Sequence, residues 1–146
     1  FTAEDFALSH PSGSLGKKLL LRVEDVMHKG DAVPSVGPDV NVTDGLLEMS
    51  QKGLGMTAVV DDASKILGVF TDGDLRRALD KGINVHKIMM SEVMHEGCIT
   101  IDPDIMAAEA VHVLEENKIT GLLVADADGR LVGALNIHDL FRAGVM

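Results

Sequence analysis

Several residue types are scarce in this chain of 146 residues, and each scarcity excludes a class of protein. Cys98 is the only cysteine, so no internal disulfide can form, and a reducing cytoplasm is the expected compartment. Trp and Tyr are absent, which removes the usual stacking platforms for single-stranded nucleic acid. Thirteen basic residues face 23 acidic ones, and the formal net charge of −10 disfavours binding to nucleic acid or to an anionic membrane.

The chain also lacks the apolar run of roughly 18 residues that a membrane span needs, and its N-terminus has no signal-peptide pattern. It begins at Phe1 rather than Met, so we expect it to be a piece of a longer protein. Hydrophobic residues make up 46% of it and charged residues 25%, which is typical of globular proteins. Its length suits one ordinary domain, or two of about 60–70 residues that share a core.

An internal repeat organises most of the chain. Residues 36–79 align with residues 101–144 at a shift of 65 positions, and nine of the 44 aligned positions are identical. Upstream, a short sequence that ends in Val-Met occurs at 23–27 and again at 90–94. We therefore expect an N-terminal arm or linker and two domains, at 1–22, 23–82 and 83–146.

Each copy predicts the element order β-α-β-β-α, and hence an α+β fold. Apolar residues at helical spacing predict the first helix of each copy, with Leu46, Leu47 and Met49 as the core face in the first copy. Asn41 and Asp44 predict the cap pair at the start of that helix. The corresponding core face in the second copy comprises Ala107, Ala110, Val111 and Leu114.

A polar turn of five residues joins the last two strands of each copy and predicts a hairpin. The sequence AspAlaAspGly in the second turn also resembles part of a calcium loop, but it lacks the further oxygen ligands and the closing Glu. The strands are predicted at 33–36, 57–60 and 66–70 in the first copy, and at 99–101, 122–125 and 131–135 in the second. Final helices are predicted at 72–81 and 137–143.

The end of each hairpin carries a motif that suits a nucleotide. Thr71 precedes Asp74 in the first copy, and Asn136 precedes Asp139 in the second. Thr-x-x-Asp is a helix N-cap with an acidic third residue, which is a sufficient structural role. Free N–H groups at a helix N-terminus also bind phosphate, and a carboxylate there can take both hydroxyls of a ribose. The motif alone divides evenly between these interpretations, and its tandem occurrence favours binding.

The remaining chemically active side chains give weaker signals. His28 and His95 both follow Val-Met, so we expect equivalent surface positions. The six histidines lack metal-ligand spacing, which predicts no metal site. Cys98 begins a predicted strand and is expected to be an inert, buried thiol. Three residues at the starts of the final helices join the predicted nucleotide site, although a surface role remains open for the arginine: Asp72, Arg76 and His138.

The duplicated unit with its Gly-h-h-Thr-x-x-Asp motif resembles a pair of CBS domains, the Bateman module, over about residues 23–143. In that family the Thr-type residue contacts phosphate and the Asp contacts ribose. The resemblance therefore implies a nucleotide site at Thr71 and Asp74. Asn136 replaces the Thr in the second copy, which leaves Asp139 in a site that departs from the family pattern.

The arm and the first motif together have a narrower resemblance. HisProSerGlySerLeuGly at 10–16 and PheThrAspGlyAspLeuArgArg at 70–77 are similar to the C-terminal part of the D-arabinose-5-phosphate isomerase family. These enzymes carry a sugar-isomerase (SIS) domain before the CBS pair, and they supply the aldose precursor of Kdo, a lipopolysaccharide sugar. The resemblance implies that His10 belongs to the isomerase active site of the parent. From composition alone, the arm reads as a flexible linker.

The resemblance implies a regulatory nucleotide-binding pair that acts on the isomerase of its parent chain and binds no metal or other cofactor. AMP or ATP is the usual ligand of such pairs. CMP or CMP-Kdo is favoured by pathway logic, because activated Kdo is a CMP-sugar. We expect a homodimer of CBS pairs and a tetrameric parent. Two alternatives remain, which are a stand-alone module that senses adenine nucleotides and a structural oligomerisation domain.

Overall fold

Residues 20–146 are described by the structure, which is a computed structural model. In them the predicted order β-α-β-β-α occurs twice, each time after a short helix, so the expected α+β fold is confirmed. The first half comprises α1 (Val23–Val26), a 3-10 turn (Gly30–Ala32), β1 (Ser35–Val36), α2 (Val42–Lys52), β2 (Met56–Val60), β3 (Ile66–Thr71) and α3 (Asp72–Asp80). The second half comprises α4 (Met90–Val93), β4 (Thr100–Ile101), α5 (Ala107–Asn117), β5 (Gly121–Ala125), β6 (Leu131–Asn136) and α6 (Ile137–Arg142).

Each half forms one three-stranded sheet, in which the first strand pairs in parallel with the second and the second pairs in antiparallel with the third. The hairpin turns hold their own carboxylates, since one oxygen of Asp61 and one of Asp126 each accept two backbone N–H groups at 2.9 Å. These bonds are those of a turn, so the hairpin interpretation of 126–130 is confirmed. No helix in residues 20–146 is long and apolar enough to span a membrane.

The short helix of each half packs on the other half. In α1, the N–H of Val23 donates to the carbonyl of Ile105 at 2.9 Å, and the Val23 side chain is fully buried in the second core. In α4, the N–H of Met90 donates to the carbonyl of Val40 at 2.8 Å, and the Met90 side chain is fully buried in the first core. The two sequence copies therefore exchange their first elements, while the domain boundaries at 82 and 83 stay a prediction.

Two glycines permit this exchange. The chain that follows each short helix crosses directly over the third strand of the other half, at Gly68 and at Gly133. A Cβ at Gly68 would lie 2.8 Å from the carbonyl oxygen of His95, and a Cβ at Gly133 would lie 2.3 Å from the sulfur of Met27. Both approaches are closer than a side chain tolerates, which explains why glycine occupies the same position in both copies.

The exchange also corrects two details of the predicted first helix. The N–H of Val42 donates to the carbonyl of Ile88, so the crossing chain takes the place of a side-chain cap, and Asn41 makes no cap bond. Leu47 is 58% exposed, which contradicts its predicted place in the core. Instead Gly45 faces the core, because the Met90 side chain packs where a Cβ at that position would sit, 2.5 Å from the methionine sulfur.

A third apolar cluster lies between the two sheets. It combines residues of both hairpins with Val33, Leu54 and Cys98 from the connecting segments. The hairpins also meet through backbone bonds, because the N–H of Ile66 donates to Gly129 at 3.1 Å and the N–H of Leu131 donates to Ser64 at 2.9 Å. The buried members of this cluster are Val33, Leu54, Met56, Ala58, Leu123 and Ala134.

Replacement of Met90 by Ala should destabilise the whole protein, because it empties a fully buried site that joins the two halves. Truncation of a buried methionine costs about 2–5 kcal/mol in the free energy of unfolding. Met89→Ala is the matched control, since Met89 is 40% exposed and its truncation should cost less than about 0.5 kcal/mol. Urea denaturation of both variants measures the difference, and equal losses would contradict the exchanged packing.

Candidate functional site

The site begins where β3 ends and α3 begins. Thr71 caps this helix, because its Oγ1 accepts the N–H of Asp74 at 3.4 Å while Asp74 Oδ2 accepts the N–H of Thr71 at 3.0 Å. The structural role of Thr-x-x-Asp is therefore present. Thr71 also lies on the wall of a cavity, so the cap does not exclude a role in binding.

The carboxylate of Asp74 is buried but has an exchangeable partner. Its side chain is 8% exposed, and Oδ1 accepts a hydrogen bond from Nη2 of Arg77, whose own side chain is 64% exposed. The buried carboxylate must keep a hydrogen-bond donor, whereas the exposed guanidinium can return to solvent. A ligand hydroxyl that donates to Oδ1 can therefore replace the guanidinium or share the carboxylate with it.

A cavity of about 490 Å³ lies in front of Asp74, between the two halves. The first half contributes the Thr71–Asp74 turn and the start of β2, and the second half contributes residues 118–121 at the start of β5. The segment that leads to β4 closes it with His95, Cys98 and Ile99. A volume of this size falls within the range of small-molecule sites, about 300–1,000 Å³.

Lys118 follows α5 with a left-handed backbone, φ 54°, where the first copy has Gly53 at φ 70°. A glycine takes this conformation without strain, and a lysine takes it less readily. The lysine brings a positive charge to the cavity wall, which also carries Arg77 and His95. Lys118 and Arg77 compensate the charges of Asp72 and Asp74 locally, in a chain whose net charge is −10.

The equivalent position in the second half is filled differently. Asp139 Oδ2 accepts the N–H of Asn136 at 2.8 Å, as in the first half. Its Oδ1 lies 2.5 Å from Nη2 of Arg142 and 2.9 Å from Nε2 of His28. His28 is therefore half-buried against Asp139, which corrects its predicted place on the surface, whereas its equivalence to His95 is confirmed, because both residues pair with the third strand of the other half.

The structure places some of the remaining predicted site residues at the cavity and others away from it. Asp72 lines the cavity, whereas Arg76 and His138 are exposed and are not among its lining residues. His10 lies outside the described residues. Sequence reasoning missed Lys118 and His95 as wall residues, because both come from segments distant from the Thr-x-x-Asp motif. Within residues 20–146 no cluster of His, Cys, Asp and Glu could hold a metal ion.

Cys98 is a cavity residue, which corrects its predicted place as a buried thiol at the start of a strand. It precedes β4 and is half-buried. Partial burial raises the pKa of the thiol, because desolvation disfavours the thiolate more than a backbone hydrogen bond at this residue favours it. A thiol of this kind reacts slowly at neutral pH although it faces a cavity.

The model of the CBS domain family matches residues 23–81 and 90–145. The chain therefore belongs to the CBS domain family, and the arrangement above is that of a CBS pair. Among curated proteins, it is 58% identical over all 146 residues to arabinose 5-phosphate isomerase KdsD of Pseudomonas aeruginosa. It is 52% identical to KdsD of Escherichia coli K12. The chain spans 45% and 44% of the lengths of these two relatives.

Solved structures show the same fold. CBSX2 in complex with AMP has a TM-score of 0.73 and 28% identity, over 86% of this chain and 96% of that one. The CBS domain pair of protein MJ0100, in complex with 5′-methylthioadenosine and S-adenosyl-L-methionine, has a TM-score of 0.75 and 21% identity, over 84% and 94%. The identity to MJ0100 is low enough that the likeness concerns the fold alone.

Alkylation of Cys98 by iodoacetamide should be slower in the folded protein than in the urea-unfolded chain, since the raised pKa leaves less thiolate at a given pH. The rate in the folded protein should also reach its half-maximum at a higher pH. Mass spectrometry reports this site unambiguously, because Cys98 is the only cysteine. An identical pH dependence in both states would show that the cavity wall does not desolvate the thiol.

Proposed function

We propose that this chain is the regulatory, nucleotide-binding part of an arabinose 5-phosphate isomerase. Identity of 58% over the whole chain supports the parent, although the chain spans less than half of that relative. The observation that carries the binding role is the cavity between the halves, with the buried carboxylate of Asp74 on its wall. In this proposal the isomerase chemistry belongs to an SIS domain of the same parent, to which His10 would contribute.

The ligand is oriented by its ribose and its phosphate. Asp74 accepts hydrogen bonds from the two ribose hydroxyls, in place of or beside Arg77. The N–H groups at the start of α3, a helix of nine residues, face the phosphate together with the positive charge of Lys118. The base lies against the apolar wall formed by residues such as Ile99 and Leu123.

Among nucleotides we favour a cytidine compound, CMP-Kdo or CMP. The parent isomerase would convert ribulose 5-phosphate to arabinose 5-phosphate at the start of Kdo synthesis, and its activated end product is a CMP-sugar. The AMP complex of CBSX2 supports the second candidate, an adenine-nucleotide sensor. The same titration distinguishes them, because CMP-Kdo, CMP, AMP and ATP can be compared on one protein.

Asp74→Ala should weaken nucleotide binding by at least about tenfold. The substitution removes charge-assisted hydrogen bonds to the ribose, each worth roughly 1.5–3 kcal/mol, and 1.4 kcal/mol corresponds to one decade of affinity. Asp80→Ala is the matched control, since Asp80 is an exposed residue at the other end of the same helix. Calorimetry with the four nucleotides measures both variants.

The Asp74 variant also loses its cap bond to Thr71, so its folding is checked by thermal denaturation before titration. The proposal would be refuted if the unsubstituted chain bound all four nucleotides with millimolar dissociation constants or not at all. If the unsubstituted chain and the folded Asp74 variant bound nucleotides with equal affinity, Thr71 and Asp74 would have the capping role alone.

Self-association is a further part of this proposal, with a homodimer of CBS pairs in a tetrameric parent. Two large apolar side chains on the closing helices support it, because Leu79 on α3 is 55% exposed and Phe141 on α6 is 69% exposed. Contiguous exposed apolar patches commonly mark contact surfaces, and in this proposal each of these side chains belongs to such a patch.

Sedimentation should show more than one chain per particle at micromolar concentration, and Phe141→Ser should shift the particle towards 15.5 kDa. Leu67→Ser is the control, since Leu67 is 37% exposed but lies on β3 rather than on a closing helix. If the unsubstituted chain were monomeric, or if both substitutions changed the particle mass equally, the helices would not be the contact surface.

A further inference from the structure

Two histidines occupy equivalent positions in the exchanged architecture. His28 follows α1 and pairs with β6, where its N–H donates to Ala134 at 2.8 Å and its carbonyl accepts from Ala134 at 3.2 Å. His95 follows α4 and pairs with β3 in the same way, through bonds of 2.8 and 3.0 Å to Val69. The backbone therefore places each histidine beside the third strand of the other half, which is the strand that leads to the motif turn.

Their side chains nevertheless differ. Nε2 of His28 lies 2.9 Å from Oδ1 of Asp139, and because a carboxylate only accepts hydrogen bonds, the imidazole N–H is the donor. His95 is exposed and lines the cavity in front of Asp74. With the same local backbone, the histidine contacts the carboxylate in the second half, whereas in the first half it lies on the wall of the cavity in front of the carboxylate.

Oδ1 of Asp139 has one donor more than Oδ1 of Asp74, which receives only Arg77. In Asp139, Oδ1 receives both His28 and Arg142, Oδ2 receives the N–H of Asn136, and the side chain is only 4% exposed. A ribose hydroxyl would have to displace a donor that two backbone bonds hold in place. An intramolecular group of this kind acts at an effective concentration of the order of millimolar or more.

We propose that His28 is the built-in occupant of the second copy, so that each chain binds one nucleotide, at Asp74, and His28 sets that stoichiometry. The inference rests on the proposed function for the first site and adds the fate of the second. The departure of Asn136 from Thr does not by itself explain an unequal pair, since both residues form the reciprocal capping box, and the added bond from Thr71 Oγ1 to Asp74 Oδ2, 3.2 Å, engages the first carboxylate rather than the second. The cross-copy imidazole is the difference that removes the carboxylate.

Calorimetric stoichiometry tests this inference, with CMP and AMP as separate probes at one fixed pH. The unsubstituted chain should bind one nucleotide. His28→Ala should bind two, because the substitution removes the cross-copy donor and leaves Arg142 as the only side chain on Oδ1 of Asp139, as Arg77 is the only side chain on Oδ1 of Asp74. His112→Ala is the matched control and should bind one, since His112 is 67% exposed and pairs with Glu116 on the surface of α5.

Double variants assign the second event. His28→Ala with Asp139→Asn should return the number to one, and His28→Ala with Asp74→Ala should keep one nucleotide and lose the original site. Each variant is first checked for a single thermal transition. His28→Ser replaces His28→Ala if the alanine variant fails that check, since serine is too short to reach Asp139.

Each result separates this inference from the proposed function. The inference would be overturned, and the first site left intact, if the unsubstituted chain bound two nucleotides or the folded His28 variant bound one. If the unsubstituted chain bound no nucleotide and the His28 variant bound one, the result would support the role of His28 and refute the proposed first site. Absence of binding to both proteins would overturn both.

Discussion

The reciprocal packing of the two short helices is the constraint on which the rest of the structure depends. Val23 completes the core of the second half, and Met90 completes the core of the first. Neither sheet with its own helices buries a full apolar face without the other copy. The exchange also draws the crossing chain over Gly68 and Gly133, against the third strand of the other half. The cavity exists because the halves are held in this arrangement.

Near symmetry with local differences produces two unequal sites from one repeated motif. Both motif turns are capped in the same way, and both carboxylates pair with an arginine three residues later. The difference arises from residues outside the motif. His28 reaches Asp139, whereas the wall in front of Asp74 stays open and carries Lys118. Duplication thus supplies the scaffold, and a few substitutions decide which copy is available to a ligand.

Local sequence signals were sufficient for the repeated elements and for the Thr71–Asp74 turn, because periodicity and capping act over a few residues. They failed where a distant segment decides the outcome. Helical periodicity placed Leu47 in the core, but Met90 packs against Gly45 and turns that face inward instead. His28 gave no signal, since its partner Asp139 lies 111 positions along the chain. The contributions of Lys118 and His95 to the cavity wall could not be predicted for the same reason.

The central claim is that one ligand site is shared by both copies. Backbone amide shifts, followed by NMR during a titration with CMP or AMP, test it most directly. The account predicts that the amides of the Thr71–Asp74 turn and those of Ile119–Gly121 respond together, with one common midpoint. A single cavity built by the exchanged halves would be contradicted if the shifts were confined to one copy, or if the unsubstituted chain gave two separate midpoints.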